Sequence, residues 1–167
     1  AVGTGAETQY TGVTGVTIAT FVFDGTMGTS FGKVLTALQF DNLVGVSGAM
    51  SPVTMAEITN LSFPALVNVA GAFSPATMAL LTTLSCPALA FVGGVFGPST
   101  MAVLPTLSFP SLVTVVGNFN VSTMAALTTF SFPVLSFVGR LTIGTMALLT
   151  TISFPALAYI GSTVGIS

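Results

Sequence analysis

Charge is what this sequence lacks most. Of its 167 residues only two are Lys or Arg and four are Asp or Glu, which makes 4% of the chain, against roughly 25% in an ordinary soluble domain. The charged residues are Glu7, Asp24, Lys33, Asp41, Glu57 and Arg140, and none lies between Ile58 and Gly139. Two cations in a chain of net charge −2 exclude nucleic-acid binding by phosphate neutralisation, which needs Lys and Arg. Histidine and tryptophan are absent, and there is one cysteine. With no imidazole, one thiol and no paired acids, neither a Ser-His-Asp triad nor a zinc site can be assembled. An enzyme is therefore the least expected class, and no cofactor is expected. A lone cysteine forms no internal disulfide, and Cys86 reads as a small core residue. Unbroken hydrophobic runs are missing too. Apolar residues make up 52% of the chain, yet Pro or Gly interrupts each run short of the ~20 residues a membrane helix needs. No helical membrane span is expected, and such hydrophobicity excludes disorder. What remains is a packed protein whose outside is made of Thr, Ser, Ala, Gly and Asn.

What the sequence has is a repeat. Thr-Met recurs at Thr54, Thr77, Thr100, Thr123 and Thr145, and proline at Pro64, Pro87, Pro110, Pro133 and Pro155. Glycine follows at Gly48, Gly71, Gly94, Gly117, Gly139 and Gly161. The period is 23 residues until one residue drops out between Pro133 and Gly139. In the coil around Ser74–Gly94, Ser74-Pro75 reads as a helix N-cap followed by proline at the first helical position. Asn120 fills the same cap place later. Met78 and Leu81, three apart, predict one side of a helix of about two turns. Thr83-Leu84-Ser85-Cys86 alternates as a strand does, with Leu84 and Cys86 inward. Pro87 ends that strand and turns a corner. Leu89 and Val92 belong to a second extended segment, and Gly94 supplies a permissive backbone for the next turn.

One coil cannot bury its own apolar face, whereas stacked coils can. The expected fold is a repeat solenoid, β-solenoid or leucine-rich-repeat-like. Its 22–23-residue coils each carry a parallel strand, a second extended segment and a short helix. Three inward columns follow: Leu61, Leu84, Leu107, Phe130, Ile152; then Phe63, Cys86, Phe109, Phe132, Phe154; then the methionines of the Thr-Met pairs. Residues 1–37 fit the repeat poorly. They read as an N-terminal arm and cap, with Ala1–Gly15 extended, a strand over Val16–Phe23, an Asp24-Gly25 turn and a degenerate helix over Ser30–Ala37. Residues 38–167 read as one domain of about five and a half coils. The wording L-S-F-P-A-L-x-x-V-x-G resembles the repeats of receptor L domains and related cell-wall surface proteins, within the broader leucine-rich-repeat type. That resemblance implies a solenoid and a surface setting. It brings no ligand site with it.

The functional expectations concern surfaces. Asp24 and Asp41 stand beside turn-formers and read as local caps, not calcium ligands. Asn60-Leu61-Ser62 and Asn120-Val121-Ser122 match the N-glycosylation pattern. Ser62, Thr83, Ser85, Thr106, Ser108, Thr129, Ser131, Thr151 and Ser153 form an outward hydroxyl ladder. Thr and Ser suit exposed strand positions in any case. Three readings stay open. The first is a non-enzymatic structural or adhesive module inside an assembly such as a virion, filament, fibre or cell wall, with protein partners or self-association. The second is an ice-binding protein that uses the ladder on an ice surface. The third is a receptor-L-like ligand-binding module. All three place the chain outside the cell, at a cell surface or on a virion. The last coil, with Ile152, Phe154, Leu157 and Ile160, is expected to be covered by another copy, another protein or further sequence.

Overall fold

A computed structural model describes residues 3–4, 21–24, 27–29 and 36–166. The chain is a parallel β-solenoid of about six turns. Its strands, in chain order, are β1 (Gly3–Thr4), β2 (Phe21–Asp24), β3 (Met27–Thr29), β4 (Ala37–Gln39), β5 (Leu43–Val46), β6 (Met50–Pro52), β7 (Asn60–Ser62) and β8 (Asn68–Val69). They continue as β9 (Thr83–Ser85), β10 (Phe91–Val92), β11 (Thr106–Ser108), β12 (Thr114–Val121), β13 (Thr129–Ser131) and β14 (Phe137–Ile143). The last coil holds β15 (Thr151–Ser153), β16 (Tyr159–Ile160) and β17 (Val164–Ile166).

Three walls build up because each coil repeats the same sites one rung on. The first wall is β4-β7-β9 and, separately, β11-β13-β15. The second is the continuous order β1-β2-β5-β8-β10-β12-β14-β16. The third holds the β3–β6 and β14–β17 pairs and the parallel bridges Met50–Phe73–Phe96–Phe119. All the pairings are parallel, so side chains 23 residues apart stand over one another at about 4.8 Å per rung. β1 and β2 bring parts of residues 1–37 into the second wall. The Ala1–Gly15 arm, the Asp24-Gly25 turn and the Ser30–Ala37 helix lie largely outside the described residues.

The interior follows the expected columns. Leu61 pairs with Leu84, Leu107 with Phe130, and Phe130 with Ile152. Met55, Met78, Met101 and Met124 are buried. Rings stack up two columns: Phe109 on Phe132 at 5.6 Å, and Phe73 on Phe96 at 5.6 Å. The columns meet edge-on, as Phe96 does with Phe109 at 4.9 Å, an arrangement that ring quadrupoles favour. Cys86 stands in the first of these columns, fully buried, and that burial pushes its thiol pKa up. A thiol held protonated in this way is chemically inert.

The expected short helix does not form; there is no helix among the described residues. A helix needs the N–H groups of this segment for its own i→i−4 bonds. Here they are spent on neighbouring coils: the Met78 N–H donates to the Thr100 carbonyl at 3.3 Å and that of Thr82 to Thr59 at 2.9 Å, while upstream the Ser74 and Ala76 N–H groups ladder to Met50 and Pro52 at 2.9 Å and 3.0 Å. Ser74-Pro75 is therefore an extended rung and not a cap, and Asn120 is a ladder residue of β12, its N–H on the Phe96 carbonyl. The three-residue spacing of Met78 and Leu81 is met by a single tight turn, closed by the Leu81 N–H on the Met78 carbonyl at 3.2 Å. A matching turn closes each Pro corner, as from Leu89 to Cys86 at 3.2 Å. Proline is the second residue there, where a locked φ suits the turn.

Two backbone features fix the corners. Gly71, Gly94 and Gly117 have no positive φ; their need is closeness. A Cβ on Gly94 would stand 2.7 Å from the Ala72 nitrogen and 2.8 Å from the Gly71 carbonyl carbon. The left-handed residues are instead threonines: Thr54, Thr77, Thr100 and Thr123 all have φ between 54° and 56°. That region is strained for a β-branched residue. At Thr54 and Thr77 it is held from the following coil, which accepts the Thr54 N–H at Ala76 and the Thr77 N–H at Ser99. Thr145, with no described coil beyond it, does not share the conformation. The missing residue of the repeat is equally localised. Val115 pairs with Val138 and Asn118 with Arg140, so Val116 and Gly117 together face Gly139, in the manner of a bulge.

Candidate interaction surfaces

The hydroxyl ladder occupies the first wall. Thr83, Thr106, Ser108 and Thr151 are exposed, while Ser62, Ser85, Thr129, Ser131 and Ser153 are half-buried. Register brings Ser62 beside Ser85, Thr106 beside Thr129, Ser108 beside Ser131, Thr129 beside Thr151, and Ser131 beside Ser153. The ladder is not one grid. β9 and β11 belong to different sheets, so Thr83 and Ser85 are not hydrogen-bonded partners of Thr106 and Ser108. Pro105 explains the break. It stands where Thr59, Thr82, Thr128 and Thr150 stand in other coils, and it has no N–H to give the coil below. Leu84, next to the break, is 7% exposed, whereas Leu61 and Leu107 are 0% exposed.

Those same positions form a second threonine column beside the ladder. The Thr82 hydroxyl donates to the Thr59 carbonyl at 2.9 Å, Thr59 to Thr36 at 3.0 Å, Thr128 to Pro105 at 3.1 Å and Thr150 to Thr128 at 3.0 Å. Each side chain is thereby tied to the neighbouring coil. The doublets Thr82-Thr83, Thr128-Thr129 and Thr150-Thr151 carry this column in the sequence, although the ladder reading took only their second members.

The second wall carries a feature that alternation alone did not reveal. Val44, Val67 and Val113 point outward in one column, with Phe91 alongside, all between 37% and 43% exposed. Further along, Phe137 stacks on Tyr159 at 5.3 Å. From Val67 to Phe137 this apolar strip lies in the stretch that has no charge. The sequence signal was valine recurring on the solvent side of Leu43, Leu66 and Leu112.

Asp41 accepts a hydrogen bond from the Gln39 side chain, two residues away, and Glu57 and Arg140 are exposed. Among the described residues no three His, Cys, Asp or Glu side chains come together. No helix there is long and apolar enough to cross a membrane. Comparison with protein-family models, curated proteins and solved structures finds no match to the chain.

Proposed function

We propose that the chain is a non-enzymatic structural module that works inside an assembly such as a fibre, filament, virion or wall layer. Its contacts run along its length through an uncharged surface. The observation that carries this reading is the exposed Val44, Val67, Phe91 and Val113 along the second wall, the last three within the charge-free stretch from Ile58 to Gly139. Contiguous exposed apolar surface marks interaction sites, and a neutral exterior gives copies little repulsion to keep them apart. The resemblance of the repeat wording to wall-protein repeats agrees with such a setting. Val113→Lys places a charge in the strip without touching the core. Light scattering across a concentration series is expected to show assembly by the parent chain and much less by this variant. A variant that assembles as the parent does removes the basis of the proposal.

The tied threonine column favours ice binding as a second reading, since fixed, regularly spaced hydroxyl and methyl groups order water. The break at Pro105 divides the array. If the first wall meets ice, Pro105→Thr, which restores both the N–H and the hydroxyl, raises thermal hysteresis, and Thr106→Tyr abolishes it. A parent chain with no hysteresis at high concentration ends this reading.

A further inference from the structure

We infer that the second wall is a docking surface for the second wall of another copy laid antiparallel to it, so that two chains pair side by side about a two-fold axis between the rungs of Phe91 and Thr114. This rests on the assembly reading and names one partner within it. Two outward columns run up the wall. Register sets Gly45, Asn68, Phe91, Thr114, Phe137 and Tyr159 one above another. Beside them stand Val44, Val67, Ala90, Val113, Ser136 and Ala158, each N–H after the first donating to the carbonyl one rung back at 2.8 to 3.0 Å. All of these residues are exposed or half-buried, and none is charged. Each rung holds one large side chain and one smaller one, but the large one changes column. Val44, Val67 and Val113 stand in one, Phe91, Phe137 and Tyr159 in the other.

That order of sizes is complementary to its own reverse. A two-fold axis along the strand direction leaves each column facing its own copy, with the rungs in opposite order. Centred between Phe91 and Thr114, it sets Phe91 against Thr114, Asn68 against Phe137 and Gly45 against Tyr159. In the other column it sets Ala90 against Val113, Val67 against Ser136 and Val44 against Ala158. Every pairing puts a large side chain opposite a smaller one. Sliding the copies by one rung sets Phe91 against Phe91 one way and against Phe137 the other. The slot for each Phe91 also has the size of one ring. Phe91 and Phe137 stand two rungs apart, about 9.6 Å, with Thr114 between them. A ring placed midway lies about 4.8 Å from each, within the roughly 4.5–7 Å at which aromatic rings pair. The column already packs rings at such an interval, Phe137 on Tyr159 at 5.3 Å. Interdigitated faces of this kind form dry zippers between sheets about 10 Å apart. A two-fold contact uses the same patch twice and closes, so the product is a discrete dimer.

The test is sedimentation equilibrium on the 167-residue chain. A dimer is the expected species. Thr114→Phe fills the slot that receives Phe91 of the other copy. It is expected to weaken dimerisation at least tenfold, although it makes the face more apolar. Adding Phe91→Thr exchanges ring and slot on both copies and is expected to restore the dimer, with far-UV circular dichroism unchanged throughout. Should Thr114→Phe fail to fold, the neighbouring column gives the same readout: Ser136→Val is expected to weaken the dimer and Val67→Ser added to it to restore it. A monomeric parent overturns both this inference and lengthwise self-assembly. An open-ended polymer, a dimer that the first substitution leaves intact or tightens, or one that the exchange does not restore overturns the inference alone. If Val113→Lys dissolves the assembly in those cases, contact through the apolar strip stands and the two-fold pairing does not.

Discussion

Replacing Gly94 by alanine is expected to destabilise the solenoid by about 2–4 kcal/mol, although only a methyl group is added. The new Cβ would lie 2.7 Å from the Ala72 nitrogen, about 0.7 Å short of the 3.4 Å at which ordinary contact begins. Both obstacles are backbone, so no side chain can swing away. Opening the two coils by that amount would stretch the Gly94 N–H bond to the Gly71 carbonyl from 2.9 Å to about 3.6 Å, beyond a hydrogen bond. Overpacking of this kind costs roughly 1–3 kcal/mol, and a lost bond about 0.5–1.5 kcal/mol. In a chain of this size each kcal/mol lowers Tm by roughly 2–4 °C. Urea denaturation of parent and variant measures the difference. Gly45→Ala is the internal control, because among the described residues its Cβ would meet only the Asn68 carbonyl oxygen, at an ordinary 3.7 Å. That change is expected to be neutral or to stabilise by up to about 1 kcal/mol. Equal losses at Gly94 and Gly45 would refute the close-approach explanation.

Thr100→Asn keeps a small polar side chain but suits the left-handed region better, and is expected to stabilise by about 1 kcal/mol, while Thr145→Asn does nothing; calorimetry compares them. Leu107→Ala, at a fully buried column site, is expected to cost about 2–5 kcal/mol, and Leu107→Asp to prevent cooperative folding, as seen by circular dichroism. The Cys86 thiol titrates higher folded than unfolded because it is buried. The folded chain thus keeps a proton that the unfolded chain releases in alkali. Stability is full below the ordinary thiol range and falls by about 1.4 kcal/mol per pH unit above it. Cys86→Val is expected to remove that slope in alkaline denaturation curves.

The solenoid was legible in the sequence because a parallel stack turns period into geometry. Leu61, Leu84 and Leu107 stand over one another only if 23 residues make one coil, and the apolar spacing said so. The helix was misread because spacing by three is ambiguous. Met78 and Leu81 both face inward across a single turn, and the choice rested on N–H groups whose partners lie 23 residues away. The glycines were rightly picked out as corner residues, but Gly94 serves by closeness, and the left-handed backbone of the coil belongs to the threonines. Propensity alone would not put a β-branched residue there. The ladder residues were placed on one wall, yet Pro105, a single proline in a threonine column, splits that wall. The apolar strip was missed because Val67 and Val113 look like core in a strand so hydrophobic on both sides.

The wall parted at Pro105 gives the molecule a mechanical character. Pulled from its two ends, a solenoid yields rung by rung, and each rung of 23 residues releases roughly 80 Å of slack at about 3.3–3.6 Å per residue. Most seams are zipped on every side. The one above Thr82 is missing a tooth, so under tension the rod is expected to tear there first, into two shorter rods that each keep their own zipped rungs.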